Sequence, residues 1–229
     1  PVILGYEALG YDAATIGNHE FDFGPVGERT VPATPSDDPR GALRARILEA
    51  DFPILSANVV VAATGAPMAI GEEASTTIER AGVRIGLLGV TTESTLRTTM
   101  AGNVADLRIE PLTGTIARAA ERLRTGGATI VVVLAHAGGR CERFDDPRDV
   151  SSCDAHEEIF EVAAALPAGA VDVIVAGHTH QAVAHFVNGI AIVESHSYGR
   201  AFGRVDLVVD RTLARVTDVR VHAPRDLCA

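Results

Sequence analysis

Apolar and polar positions follow two different rhythms along this chain. Up to about Gly177, short runs rich in Val, Ile and Leu, at residues 13–16, 53–57, 83–90, 129–135 and 171–176, alternate with longer amphipathic stretches. Those stretches predict helices over 1–10, 41–50, 111–125 and 154–166; the third has Pro111 at its start, with Gly126 and Gly127 just past its end. Buried runs separated by helices predict an α/β domain on a largely parallel sheet. Beyond Gly177 the helices stop, and residues 182–187, 190–195, 203–209 and 214–222 read as strands, with Asn188-Gly189 marking a tight hairpin between the first two. The change of rhythm predicts that a parallel section hands over to an antiparallel one, giving two packed sheets with helices outside. Residues 24–40, with four prolines and Asp37-Asp38, read as a surface loop.

Composition narrows the picture. The 229 residues are 47% hydrophobic and 22% charged, which suits one compact domain. Twenty Lys and Arg against thirty Asp and Glu leave a net charge of −10 with no basic cluster, which argues against a nucleic-acid partner. No apolar run reaches the roughly eighteen residues of a membrane span. Three cysteines are too few for a disulfide scaffold, but Cys141 and Cys153 flank the polar loop 142–152, and a bridge closing it would stabilise the fold by about 3 kcal/mol. Such a bridge points to an oxidising, extracytoplasmic location; free thiols in a cytosolic protein are the alternative. Trp is absent, and the three Tyr and seven Phe fall mostly in core-like segments, so no base-stacking platform is legible.

Loops at the C-terminal ends of buried strands are where α/β proteins build active sites. Three such ends carry histidine: the run 13–16 leads into Gly17-Asn18-His19-Glu20-Phe21-Asp22, 129–135 into His136, and 171–176 into Gly177-His178-Thr179-His180. Residues two apart in an extended segment share a face, so His178 and His180 are expected to point to one site. Imidazoles gathered from separate strand ends suggest a metal centre. His156, His185 and His222 read as ordinary structural histidines.

In their order, Gly-Asn-His-Glu-Phe-Asp at 17–22, Ala-His at 135–136 and Gly-His-Thr-His at 177–180 make the chain resemble the calcineurin-like metallophosphoesterases, specifically their 5'-nucleotidase branch. Gly10-Tyr11-Asp12, Leu55-Ser56-Ala57-Asn58 and Tyr198-Gly199-Arg200 strengthen the match. The resemblance implies a four-layer αββα sandwich of two mixed sheets and two divalent ions drawn from Zn, Mn, Fe and Co. By it Asn18, His136 and His178 would ligate one ion and His180 would reach the other. A metal-bound hydroxide would attack phosphorus, His19 would assist the leaving oxygen, and Asp22 would hold that imidazole in the right tautomer. From the residues alone, Asp22 is also a candidate helix cap.

The same resemblance implies a single domain over 1–229 that is incomplete at its N-terminus. An earlier strand-helix-strand unit, with an Asp-x-His pair and a Gly-Asp pair, would supply the remaining ligands and the bridging carboxylate. A separate C-terminal domain would bind the substrate's base. The implied activity is removal of phosphate from nucleoside 5'-monophosphates or related nucleotides. Related phosphodiesterase, nucleotide-sugar and thiosulfate-ester hydrolysis share the motifs, while a catalytically incompetent binding module or a protein with one metal are the readings from other classes. In the loop 138–153, Arg140 or Arg143 could line a phosphate site or simply be solvated, and His196 could face the site or cap its strand.

Overall fold

The computed structural model describes residues 1–227; Cys228, the third cysteine of the sequence, lies outside them. In chain order the elements are α1 (Val2–Leu9), β1 (Ala14–Thr15), α2 (Gly41–Glu49), β2 (Ile54–Leu55), β3 (Val59–Val61), β4 (Ser75–Arg80), β5 (Val83–Thr91), α3 (Ala101–Val104), β6 (Leu107–Ile109) and α4 (Leu112–Thr125). There follow β7 (Ile130–His136), α5 (Glu158–Ala165), β8 (Val173–Ala176), β9 (Ala182–Val187), β10 (Ile190–Ser195), β11 (Ala201–Asp210) and β12 (Arg215–Asp226).

The main sheet has six strands in the order β4-β5-β7-β8-β10-β9. Its inner strands β5, β7, β8 and β10 are mutually parallel, and the outer strands β4 and β9 run antiparallel to their neighbours. α4 supplies one outer layer because its apolar residues recur at helical spacing: Leu112, Ile116, Ala119, Ala120 and Leu123 are all buried. They meet Ile159 and Phe160 of α5 and the apolar faces of β5, β7, β8 and β10 in the larger core. On the opposite face β1–β2 packs over β5 and β7, while the β11–β12 ribbon packs over β10 and β9. A smaller core joins Ile16 and Phe21 to Leu43 and Ile47 of α2 and to Val59, Leu107 and Ile109 of the β3–β6 pair.

The hairpin at Asn188-Gly189 forms as the sequence predicts, with both residues at positive φ. Its placement departs from expectation, since β9 and β10 do not open a separate antiparallel sheet. β10 pairs in parallel with β8 and extends the main sheet; only β11 and β12 lie apart. Isoleucine, alanine and valine at 190–193 are buried to 6% exposure or less, and side chains covered on both faces fit a central strand as well as a hairpin arm. β4 escaped the sequence reading because Ser75–Arg80 is polar and partly exposed, as an edge strand can be. β3 and β6, three residues each, are too short to leave a period.

The second layer is interrupted. β1 pairs only with β2 among the described residues, and its other edge opens on a cleft of about 930 Å³ between α1, α2, β1 and the face of β7 and β8. Val175, in the middle of the main sheet, stays 42% exposed.

Cys141 and Cys153 are joined by a disulfide that closes the loop 142–152. The loop lies along the outer edge of β9: the Cys141 N–H donates to the Ala182 carbonyl and the Phe186 N–H to that of Pro147. Closure should be worth about 3 kcal/mol. Reduction is therefore expected to lower Tm by about 6–12 °C, read by calorimetry with and without a dithiol. An unchanged Tm would mean that β9 holds the loop without the bond.

Candidate metal centre

Because β5, β7, β8 and β10 are parallel, their C-terminal ends line one edge of the main sheet. β1 delivers a further strand end to it from the second layer. The Ile16 N–H donates to the Leu55 carbonyl, and the chain then passes Gly17 into a single 3-10 turn, His19–Phe21. Only glycine fits at 17: a Cβ there would stand 2.6–2.8 Å from the His136 ring atoms. Phe21 anchors the turn in the smaller core, which leaves the His19 side chain 69% exposed.

Three donors meet beside that turn. The Asn18 amide is oriented by its Nδ2, which donates to the Thr98 carbonyl at 3.0 Å, and its Oδ1 lies 2.7 Å from His136 Nε2. His178 Nδ1 stands 3.1 Å from the same His136 nitrogen. Burial, and then the neighbouring His178, His19 and His180, push the His136 pKa down to about 4. Burial also lowers that of His178, with Glu158 opposing and His180 and His19 adding to the shift. A neutral imidazole is the ligating form.

The trio fits an ion. At metal–nitrogen distances of about 2.0–2.1 Å, adjacent ligands of a tetrahedral ion stand about 3.3 Å apart. From His136 Nε2 the observed separations are 2.7 Å to Asn18 Oδ1 and 3.1 Å to His178 Nδ1, both near that spacing. A mixed nitrogen and oxygen set suits Zn, Mn, Fe or Co.

His180 does not join them. The expectation that 178–180 is extended is corrected here: His178 and His180 both have positive φ, +84° and +60°, so the segment is a bent loop. Its side chains diverge, His178 towards His136 and His180 towards the Tyr198 ring, 5.7 Å away between centroids. Among the described residues no three His, Cys, Asp or Glu ligand atoms that include His180 gather within 4.8 Å. The residues present fit one ion and leave a second without a complete set.

Asp22 faces His19 rather than capping a helix. Its Oδ2 is 2.7 Å from His19 Nδ1, and its Oδ1 accepts from the Thr99 hydroxyl at 2.7 Å. Burial pushes its carboxyl up, but hydrogen bonding from His19, Thr99 and the Met100 backbone, with the electrostatic attraction of His19, outweighs that and holds it below the usual range. Arg143 is bound within its own loop, to Ser151 at 2.7 Å and Asp149 at 3.4 Å, and Arg140 is exposed. The His196 N–H donates to the Gln181 carbonyl at 2.8 Å, which carries the β9–β10 ladder one residue further. His156 is exposed, His222 pairs with Asp206 at 2.9 Å, and His185 is buried under Phe144.

Sequence reasoning missed the supports. Thr98 and Thr99 steady Asn18 and Asp22, Ser94 Oγ lies 3.4 Å from His178 Nε2, and buried Glu194 binds Thr179 and Gly139. The available signal was position: Ser94 follows the end of β5 and Glu194 lies near the end of β10, on the edge that carries the histidines.

No family model matches the chain. The crystal structure of the calcineurin-like phosphoesterase YfkN from Bacillus subtilis superposes with a TM-score of 0.71 at 23% identity, covering 98% of this chain and 65% of that one. The probable 5'-nucleotidase of Treponema pallidum is 27% identical over 225 residues, 89% of this chain and 32% of that protein. The endonuclease YhcR of Bacillus subtilis is 32% identical over 213 residues, 93% of this chain and 16% of that protein. The chain has the fold of the calcineurin-like phosphoesterases and is similar in sequence to 5'-nucleotidases over nearly all of its length. Its sheets and helices form the layered metallophosphoesterase fold, with the second sheet present as the separate β1–β2 and β11–β12 pairs. The chain spans about a sixth and a third of the lengths of the two relatives. No helix among the described residues is long and apolar enough to cross a membrane.

Gly17→Ala is expected to weaken zinc binding at least about 10-fold, since the new methyl must displace His136 and a displaced ligand loses its place on the ion. Calorimetric titration reads the effect. An unchanged affinity would show that His136 does not hold the ion.

Proposed function

We propose that this chain is the catalytic scaffold of a metal-dependent phosphoester hydrolase of 5'-nucleotidase type, acting on nucleoside 5'-monophosphates or related nucleotides. One observation carries the reading: Asn18 Oδ1, His136 Nε2 and His178 Nδ1 converge next to an exposed His19 that is paired to Asp22. A divalent ion supplies Lewis acidity and a nucleophile at neutral pH. Asn18, His136 and His178 would hold it, and His180 is assigned to a second ion. His19 projects from the 3-10 turn into solvent, where a phosphate ester can reach it. Its Nδ1 faces Asp22, which leaves Nε2 to give a proton to the leaving oxygen. Thr99 keeps Asp22 from turning away.

We assign the cleft beside β1 to a preceding strand-helix-strand unit that brings the remaining ligands. Its free strand edge and the exposed Val175 support this. Substrate selectivity is assigned to a C-terminal domain of the longer protein. The disulfide supports an extracytoplasmic location. The incomplete surroundings of His180 favour a second reading, in which this segment alone holds one ion and is inactive.

The test is zinc or manganese stoichiometry together with phosphate release from AMP, run on this segment and on a form extended towards the N-terminus. One ion and no turnover for the segment, with two ions and turnover for the longer form, is the expected result. Hydrolysis of single-stranded DNA in place of AMP would redirect the substrate assignment. Loss of activity on every ester in both forms would sink it.

A further inference from the structure

Glu194 stands near the C-terminal end of β10, 2% exposed, on the sheet edge that carries the candidate centre. A buried carboxylate persists only where donors replace its water. Among the described residues none of the ion pairs includes Glu194, so donors must replace a countercharge. The Gly139 N–H donates to Oε2 at 3.0 Å and the Thr179 hydroxyl to Oε1 at 2.8 Å.

These donors come from two loops, and both loops carry assigned ligands. Gly139 lies three residues beyond His136, and Thr179 lies between His178 and His180. Both histidines have positive φ, a conformation that a side chain with a Cβ adopts only under constraint from its surroundings. The packing is close enough to exclude a side chain at 138, where a Cβ would meet Glu194 Oε2 at 2.5 Å and the Gly177 carbonyl oxygen at 2.3 Å.

We propose that Glu194 is a positioning residue of the metal centre: by accepting from the Gly139 N–H and the Thr179 hydroxyl it holds the His178–His180 loop bent and sets its distance from His136. The proposal rests on the metal-binding reading above. A carboxylate suits the task because both of its oxygens accept; an amide of the same shape turns an NH2 group towards one of these donors. The loop then swings, and His178 Nδ1 leaves the point where it meets His136 Nε2.

The test is cobalt(II) binding, followed by its visible absorption, in the wild-type chain, Glu194→Gln, Thr179→Val and the control Asp172→Asn. Asp172 is also a largely buried carboxylate, but it lies before β8, at the other end of the sheet, where it binds Arg124 and the Val131 N–H. Glu194→Gln is expected to weaken cobalt binding about 10- to 100-fold and to alter the absorption envelope. Asp172→Asn is expected to lower Tm while leaving affinity and spectrum as in the wild type. Thr179→Val, which keeps the carboxylate, reports in the same direction with a smaller change and decides the matter if Glu194→Gln does not fold. Wild-type affinity and spectrum in Glu194→Gln, or an affinity loss that follows Tm equally in the control, would overturn the role of Glu194 alone. No cobalt uptake by the wild-type chain would remove the metal reading, and this proposal with it.

Discussion

His178→Ala is expected to cost the protein its bound metal. His178 Nδ1 is one of three donors that meet at His136, and it comes from a loop separate from those of the other two. Structural zinc sites bind with about 10–16 kcal/mol, which shared over four ligands is about 2.5–4 kcal/mol each, roughly 10²- to 10³-fold in affinity. Dialysed protein should therefore fall from at least one equivalent of zinc to near none by elemental analysis. The fold should survive, because the loop 177–181 lies at the surface edge of the sheet and its anchor, Thr179 on Glu194, is untouched. Zinc retained at the wild-type level would show that His178 is not a ligand.

His19→Ala is expected to act on the opposite quantity. Phosphate release should fall by about 10²-fold or more while metal content stays constant, as befits a group that moves a proton or stabilises charge. The geometry separates the two roles. His19 adjoins Asn18 in sequence, yet its Nδ1 is committed to Asp22 and its side chain is exposed, whereas Asn18 is buried and turned towards His136. The measurement pairs turnover of AMP with elemental analysis on the form of the protein that releases phosphate. If His19→Ala removed metal and His178→Ala did not, the two assignments would be reversed.

Much of this arrangement was legible before any coordinates. The run at 129–135 followed by His136, and the helix 111–125 with its Pro and Gly boundaries, appear in the fold within one residue of their expected limits. The helix 154–166 begins later, at Glu158, because residues 154–157 form a turn, closed by the Glu157 N–H on the Asp154 carbonyl, and leave the first four residues outside. The loop 24–40 holds no helix or strand. The disulfide between Cys141 and Cys153, left open against free thiols by spacing alone, is formed. Less legible was the partner of each strand. Residues 190–195 had the turn chemistry of a hairpin, which the fold honours, and their parallel pairing with β8 depends on contacts across the sheet that no local pattern encodes.

The site divides along the same line. Strand periodicity and the histidines at strand ends determined which loops bring histidine to one edge of the sheet, because a buried parallel sheet exposes its residues where its strands stop. Tertiary structure decided which side chains meet. His178 and His180, equivalent by spacing, part company because their loop is bent between two left-handed residues and pinned at Thr179 by Glu194. Asp22, which the resemblance pairs with His19 and its neighbours alone leave as a possible helix cap, faces His19, and its other oxygen accepts from the hydroxyl of Thr99, 77 residues away. Local order along the chain sets the backbone through short-range sterics and period, whereas the direction of a loop side chain is set by hydrogen bonds to residues brought near only when the sheet closes.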